Sequence, residues 1–267
     1  MSIVGDYHMH TPRCKHATGP IAAYAEAALK LGLSEIGFSD HSPLPDGRGA
    51  NVRMAPQELP AYVEEVLALR EQYRSRLTIR LGLELDFVIG LESFNEKLVT
   101  AYPWDYVLGS VHYLDPDCRL SSWPANYRGN HDELFERYFA LVRQMARSGL
   151  VDVVAHLDVV KRCGTPPGPQ HRKLIETTLD EIAHAGVALE INTSGYRHPE
   201  LRTPEPYPSF NIIAAALQRD IPLQVNSDAH DPSHVGMQFQ MVTEQLRRTG
   251  CRSLVRFERR ERLTYPI

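Results

Sequence analysis

The sequence predicts an α/β fold in which repeated strand–helix units surround a parallel sheet. Seven short segments have the apolar character of strands, and segments with helical spacing lie between them. The length of 267 residues suits either two average domains or one α/β barrel. Because no long linker rich in proline, glycine or serine divides the chain, we expect one domain spanning residues 1–267.

The predicted elements follow from local patterns along the chain. Strands are expected at residues 4–10, 35–41, 78–87, 106–113, 151–158, 187–195 and 221–230. Helical spacing marks residues 21–32, 58–74, 133–149, 172–186 and 210–219. Gly32, Gly149 and Gly186 follow three of these helices, where a left-handed residue commonly ends a helix. The longest irregular stretches, 42–56 and 114–130, are expected to form loops over an active site.

Composition excludes several classes of protein. The net charge of −4 does not indicate a nucleic-acid groove, and 43% hydrophobic residues are ordinary for a soluble globular protein. No apolar run approaches the roughly 18 residues of a membrane span, and no secretory signal opens the chain, so a cytoplasmic protein is expected. The cysteines are scattered and indicate neither a disulfide scaffold nor a cysteine-rich zinc site. The charged runs RRTG and RFERRERL suggest a solvated helix face and an exposed tail.

The stretch GDYHMHTPRCKHA places several histidines close together near the start of the chain. If residues 5–10 form a strand, His8 and His10 point to the same face and can share a metal ion. The pair alone is equally consistent with a polar strand end that faces water. A metal site therefore requires further ligands that converge on this strand.

Such residues stand at the ends of the other predicted strands. In a barrel of parallel strands these ends lie on one rim, where the active sites of such barrels are built. Buried imidazoles and carboxylates are costly unless they are paired or bind metal, so the pattern predicts a metal site. The strand ends carry His8, His10, Asp40, His41, Glu84, Ser110, His112, His156, Asp158, Asn192, Ser194, Asp228 and His230.

With these motifs in order, the chain resembles the polymerase and histidinol phosphatase (PHP) family over nearly its whole length. The stretches EIGFSDHSPLP, GSVHY and EINTSGYR are similar to the monofunctional histidinol-phosphate phosphatases of that family. The resemblance implies a distorted seven-stranded (β/α)7 TIM-like barrel, which agrees with the strands counted above. It also implies a trinuclear metal site.

The resemblance implies a distribution of ligands over three divalent metal ions. His8, His10, Glu84 and Asp228 match the ligands of one metal. Glu84 also bridges to a second metal held by His112 and His156. A third metal would be held by His16, His41 and His230.

The chemistry of the residues agrees with this assignment. Imidazole mixed with carboxylate suits zinc, iron or manganese, and paired metals can hold a hydroxide at neutral pH. We expect a hydroxide between the two metals that share Glu84 to attack phosphorus. Either Asp228 or His230 is expected to protonate the leaving oxygen. Asp40 and Asp158 are expected to orient ligand imidazoles through hydrogen bonds.

Basic residues on the same rim are candidates for binding the phosphate. Arg197 follows the sixth predicted strand and Arg162 follows the fifth, and an arginine fork suits a phosphate group. Lys161 is a weaker candidate for the same role. A surface position in a solvated loop is the alternative for each of the three.

The function that the resemblance implies is hydrolysis of L-histidinol phosphate to L-histidinol and phosphate, a step of histidine biosynthesis. Alternatives are another phosphoesterase of the family acting on sugar, nucleotide or nucleic-acid phosphates, and a metal-binding module without activity. A deacetylase-type hydrolase on a metal barrel is a remoter alternative. A small-molecule substrate is expected, with no nucleic-acid or membrane partner, and the sequence does not indicate an oligomeric state.

Overall fold

The computed structural model describes residues 3–124, 127–198, 201 and 204–267. Its main sheet has seven strands in sequential order, each parallel to the next. This arrangement confirms the predicted α/β class and strand number. The strands are β1 (Gly5–Asp6), β2 (Glu35–Phe38), β3 (Thr78–Asp86), β4 (Tyr106–Ser110), β5 (Val153–Val154), β6 (Ala188–Asn192) and β7 (Leu223–Asn226).

The sheet curves into a nearly closed barrel, and its seam lies between the segments that follow β1 and β7. The His10 N–H donates to the Ala229 carbonyl at 2.9 Å, and the Ala229 N–H donates to the His8 carbonyl at 2.9 Å. The seam holds the residues that follow the first and the last strand side by side. The predicted (β/α)7 TIM-like barrel is therefore confirmed.

Helices connect the strands, as the sequence pattern predicted. Five of them match the predicted segments within a few residues, while the helices Glu92–Ala101 and Phe239–Arg248 are additional. Gly32 and Gly186 each follow a helix with φ of 74° and 69°, a conformation that glycine adopts without steric cost. The helices are α1 (Ile21–Leu31), α2 (Leu59–Tyr73), α3 (Glu92–Ala101), α4 (His131–Arg147), α5 (Arg172–Ala185), α6 (Phe210–Leu217) and α7 (Phe239–Arg248).

Several strands are shorter than predicted. The predicted strand residues that lie beyond their carboxyl ends form the rim. The first strand ends at Asp6 rather than at His10, so His8 and His10 lie beyond its ladder. His156 and Asp228 adopt positive φ angles of 27° and 53° just beyond the strands that precede them. A regular strand cannot contain such backbone, so the ladder stops where the side chains of the rim must turn inward.

The segment RFERRERL was predicted to be an exposed tail. Most of its charged residues are exposed, but the segment is folded and not a tail. It lies in an antiparallel hairpin of β8 (Ser253–Glu258) and β9 (Glu261–Pro266). Val255 and Phe257, two alternate residues of the hairpin, are buried in one apolar cluster with Tyr7 and Tyr106. Arg256 and Arg260 are partly buried and form ion pairs.

Ion pairs attach the hairpin to the amino-terminal ends of the barrel strands. Arg256 lies 2.7 Å from Glu35 at the start of β2, and the Arg260 guanidinium lies 2.5 Å from Asp152, next to β5. The hairpin therefore covers the end of the barrel opposite the carboxyl rim.

None of the helices in the described part of the chain combines the length and the apolar composition that a membrane span requires.

Replacing Phe257 with alanine should destabilise the barrel, because the side chain is only 3% exposed and its loss leaves a cavity. Large-to-small changes of this kind cost about 3–5 kcal/mol, so the melting temperature should fall. Thr264→Ala, at an exposed position of the same hairpin, is the matched control and should change stability by less than about 0.5 kcal/mol. Equal melting temperatures for the two variants would show that the hairpin does not support the barrel.

Candidate metal centre

A cavity of about 550 Å³ opens at the carboxyl end of the barrel. The loops predicted to cover the site take part in its walls. Val52 and Arg53 come from the first loop, and Ser121 and Trp123 come from the second. Ala125 and Asn126 of the second loop lie outside the described residues. The cavity thus lies where the polar strand ends were expected to meet.

Glu84 of β3 lies at the base of this cavity, and its two carboxylate oxygens face different imidazoles. Oε1 lies 3.0 Å from His156 Nε2 and 3.4 Å from His112 Nε2. Oε2 lies 2.7 Å from His41 Nδ1 and 3.4 Å from His8 Nε2. The carboxylate is 1% exposed. The histidines that face Oε1 and those that face Oε2 thus form two groups with one buried carboxylate between them.

Asp228 lies beside His8 and His10. Its Oδ1 lies 3.1 Å from His10 Nε2 and 3.6 Å from His8 Nε2. Its Oδ2 accepts hydrogen bonds from Ser194 Oγ at 3.2 Å and Asn192 Nδ2 at 3.3 Å. The structure therefore brings together His8, His10, Glu84 and Asp228, the group that the resemblance implied.

A third group of imidazoles lies at the outer side of the cavity. The ligand nitrogens of His16, His41 and His230 lie within 4.8 Å of one another. His230 stacks on His10 at a centroid distance of 3.9 Å, and this contact connects the third group to the residues around His8 and His10. All the residues predicted to bind metal from the resemblance are therefore gathered at one end of the barrel.

Unpartnered atoms within the cluster test whether it suits a cation. His8 Nε2 and His230 Nε2 are buried without a hydrogen-bond partner, and His41 Nδ1 and Glu84 Oε2 face each other at 2.7 Å without the angles of a hydrogen bond. Buried polar atoms normally have partners, because an unpaired one keeps the full cost of its desolvation. Imidazole and carboxylate lone pairs that converge in this way fit a divalent metal ion.

The pKa values of Glu84 and His41 are shifted in directions that agree with this fit. Burial raises the pKa of Glu84, but the imidazoles of His41, His8 and His112 outweigh it and hold that pKa well below its usual range. Burial lowers the pKa of His41 to about 4, despite the opposing charge of Glu84. The carboxylate is thus ionised and the His41 ring is neutral near pH 7, which are the forms that bind metal. Burial lowers the pKa values of His8 and His10, but neighbouring carboxylates outweigh it and raise both well above the usual range, so metal binding there would release protons.

The two carboxylates predicted to orient imidazoles differ in their contacts. Asp40 Oδ1 lies 3.4 Å from His10 Nδ1 and accepts from the His41 N–H at 2.8 Å, so it does hold two residues of the cluster. The prediction for Asp158 is wrong, because its Oδ2 accepts from Lys161 Nζ at 3.0 Å and from the Ser209 N–H at 3.0 Å.

Lys161 was a weaker candidate for binding the phosphate, and the structure contradicts it. The side chain is buried, and its Nζ donates to Asp158, to Glu205 Oε1 at 2.9 Å and to the Pro206 carbonyl at 3.0 Å. With its donors used in this way, Lys161 ties together two loops beside the cavity.

Sequence reasoning missed two carboxylates that contact the cluster. Asp86 Oδ2 lies 3.1 Å from His112 Nδ1, and Glu190 Oε1 lies 2.7 Å from His8 Nδ1. Asp86 follows Glu84 by two residues in β3, and Glu190 precedes Asn192 by two residues in β6. Because alternate residues of a strand share a face, this spacing was a signal that both point to the site.

The two arginines proposed to bind phosphate both line the cavity. Arg197 donates to the Ser227 carbonyl at 2.9 Å and to the Asp228 carbonyl at 2.7 Å. The Arg162 guanidinium lies 5.0 Å from the centre of the Trp123 ring. These contacts hold positive charge beside the imidazole cluster, where an anionic substrate group would need it.

Comparison with known proteins identifies similar sequences. A model of the PHP domain matches residues 6–194. The chain is 41% identical to a probable histidinol-phosphatase of Deinococcus radiodurans, over 93% of this chain and 95% of that protein. It is 30% identical to the histidinol-phosphatase of Bacillus subtilis, over 90% of this chain and 98% of that protein.

A solved structure has the same fold. The histidinol phosphate phosphatase of Lactococcus lactis, crystallised with zinc, L-histidinol and phosphate, superposes with a TM-score of 0.81 at 19% identity. The superposition covers 97% of this chain and 98% of that one. At this level of identity, the likeness establishes a common architecture.

Replacing Arg53 with methionine should destabilise the protein strongly. Arg53 lies 2.6 Å from Asp86 with both side chains almost fully buried, so the change leaves Asp86 without its cationic partner. Breaking a buried pair in this way costs about 3–5 kcal/mol. The measurement is the free energy of unfolding from urea titration.

Arg13→Met is the matched control for this prediction. Arg13 lies 2.9 Å from Glu65 at a partly exposed position, where an ion pair contributes about 0–1 kcal/mol. A loss of stability in the Arg53 variant no larger than that in the control would contradict the importance of the buried pair.

Proposed function

Because this chain belongs to the PHP domain family, we propose that it is a metal-dependent phosphomonoesterase that hydrolyses L-histidinol phosphate to L-histidinol and phosphate. Similarity to named histidinol-phosphatases along nearly the whole chain supports the substrate. The observation that carries the chemistry is the Glu84 carboxylate, whose two oxygens face separate groups of imidazoles. A single anionic group placed in this way suits a bridge between two cations.

The proposed metal ligands follow the three groups of side chains. His8, His10, Glu84 and Asp228 would hold one divalent ion, and Glu84 would be shared with a second ion held by His112 and His156. His16, His41 and His230 would hold a third. Zinc, iron or manganese suits this mixture of nitrogen and oxygen ligands. When bound, such ions polarise a phosphoryl group and make hydroxide available at neutral pH.

The residues around the cluster would position the phosphomonoester. Arg197 and Arg162 line the cavity and would hold phosphate oxygens through their guanidinium groups. Trp123, Tyr113 and Tyr207 give the same cavity an aromatic wall, which suits the imidazole ring of histidinol. The Lactococcus lactis protein of the same fold was crystallised with L-histidinol and phosphate, which supports this choice of ligand.

A proton must reach the alkoxide that leaves phosphorus. Asp228 and His230 both line the cavity, so each remains a candidate donor. Asp228 is engaged by His10, Ser194 and Asn192, whereas His230 Nε2 has no hydrogen-bond partner. Because His230 Nδ1 faces the Asp228 carbonyl at 3.1 Å, its Nε2 carries the lone pair that would bind metal. The contacts therefore do not choose between the two donors.

The proposal also includes the setting of the reaction. A small phosphomonoester, rather than nucleic acid, is the proposed partner, in keeping with the net charge of −4. A cytoplasmic location is proposed with it. Cys14, Cys118, Cys163 and Cys251 are unpaired, a state that a reducing compartment preserves.

The experiment that tests the proposal measures phosphate release from L-histidinol phosphate, an aryl phosphate, a sugar phosphate and a short 5′-phosphorylated oligonucleotide. We expect a strong preference for L-histidinol phosphate, loss of activity with a chelator, and close to three metal ions per chain by elemental analysis. Equal rates with the other esters would retain the phosphatase and reject the substrate. No phosphate from any ester, with the protein fully loaded with metal, would reject the enzyme.

Replacing Glu84 with glutamine should remove the anionic group common to two metal sites and nearly abolish turnover. The loss should exceed the 10–100-fold typical of losing an outer partner of a metal ligand, because Glu84 itself is a proposed ligand. The measurement is kcat together with metal content. Glu65→Gln, on the partly exposed Arg13 pair, is the control and should retain activity. A Glu84 variant with wild-type rates would refute the shared-carboxylate mechanism.

A further inference from the structure

Glu190 is a fully buried carboxylate beneath the candidate metal centre, and each of its two oxygens has two nitrogen neighbours. Oε1 lies 2.7 Å from His8 Nδ1 and accepts from Asn226 Nδ2 at 2.9 Å. Oε2 accepts from the His156 backbone N–H at 2.8 Å and from Asn192 Nδ2 at 3.0 Å. The carboxylate therefore contacts one member of each of the two histidine groups that share Glu84.

The donors around Glu190 cannot exchange their roles. The Tyr7 N–H donates to Asn226 Oδ1 at 2.9 Å, and the Ser194 N–H donates to Asn192 Oδ1 at 2.9 Å. Because a backbone N–H can only donate, each amide must turn its NH₂ group toward Glu190. The remaining fixed donor is the backbone of His156. Only His8 has a choice between donating and accepting.

We propose that Glu190 is a positioning residue that sets the tautomer of His8 and thereby leaves His8 Nε2 free to bind metal, an inference that rests on the proposed function. An ionised carboxylate only accepts hydrogen bonds, so His8 Nδ1 must carry the proton. His8 Nε2 then presents its lone pair 3.4 Å from Glu84 Oε2 and 3.6 Å from Asp228 Oδ1. A partner on the other ring nitrogen fixes the metal-binding nitrogen of a histidine in this way.

The same carboxylate holds the turn that delivers His156. The His156 backbone has a φ of 27°, which a side chain with a Cβ atom rarely adopts. Its N–H donates to Glu190 Oε2, and its Nε2 lies 3.0 Å from Glu84 Oε1. Glu190 therefore determines the proton on one proposed ligand and the backbone of another.

A glutamine at position 190 has the same shape but must place an NH₂ group on one side. If the NH₂ group faces His156 and Asn192, it meets two fixed donors. If it faces His8 and Asn226, it meets one fixed donor, and His8 can accept by moving its proton to Nε2. The second arrangement costs less, and it removes the lone pair that would bind metal. The variant should therefore lose metal selectively.

The experiment compares zinc binding by the wild-type protein and by Glu190→Gln after metal removal and reloading with zinc alone. We expect zinc affinity at the His8 site to fall by about 10–100-fold, as for other partners of metal ligands. Anomalous scattering at the zinc edge should show the loss at His8, with zinc retained at His16, His41 and His230. Unchanged zinc affinity and occupancy at His8 would overturn the proposal.

Asp105→Asn is the matched control, because Asp105 is a buried carboxylate that accepts from the Leu81 N–H at 2.9 Å and the Arg259 N–H at 3.2 Å, far from the rim. This variant should lose stability and keep its zinc. An equal loss of zinc in both variants would mean that general loosening, rather than the His8 tautomer, causes the effect.

A measurement on the wild-type protein keeps the test valid if the variant does not fold. Nitrogen-15 NMR of the zinc-loaded protein should show the His8 proton on Nδ1, and a proton on Nε2 would overturn the proposal. The outcomes also separate this inference from the proposed function. Selective zinc loss in a protein that releases no phosphate from L-histidinol phosphate would retain the role of Glu190 and reject the substrate.

Discussion

The buried negative charge of Glu84 is the constraint on which the rest of the site depends. A carboxylate that is 1% exposed has lost its water, and such a charge persists only where other groups compensate for it. Here the compensation comes from imidazoles on both sides of the carboxylate, and Ser110 Oγ donates to it at 2.5 Å. Those imidazoles must themselves be held in place, which explains why the surrounding rim is so rich in polar contacts.

A second set of carboxylates holds those imidazoles. Asp40 contacts His10, Asp86 contacts His112, and Glu190 contacts His8, each through Nδ1. In each case Nε2 faces Glu84. In this repeated arrangement the outer nitrogen of each ring lies beside a carboxylate, and the inner nitrogen is directed to the centre. The centre is therefore prepared by the protein before any ligand arrives.

The architecture of the barrel makes this crowding possible. Short parallel strands bring seven rim positions to one end, and the seam between His8, His10 and Ala229 joins the last strand to the first. The opposite end is closed by the β8–β9 hairpin, whose apolar residues enter the barrel and whose charges pair with strand starts. The polar cluster of the candidate site and the hairpin that stabilises the barrel thus lie at opposite ends, as is usual for barrels of this type.

Local patterns in the amino-acid sequence were enough to predict the alternation of strands and helices and the polar residue types at the strand ends. Those features were readable because strand periodicity and helix spacing are local. Their places at the ends of predicted strands identified Glu84 and Asp228 as rim residues. Asp86 and Glu190 lie two residues from a recognised rim residue, and this signal was overlooked.

The pairing of polar residues with one another depends on the three-dimensional fold. Asp158 and Lys161 look like rim groups in the sequence, yet they pair with each other because a neighbouring loop buries them. The charges of RFERRERL suggested solvent, but two of them, Arg256 and Arg260, pair with the carboxylates of Glu35 and Asp152, which lie far away in the chain. Contacts between distant segments depend on barrel closure and loop paths. No local pattern encodes them, because their free energy arises only when the segments come together.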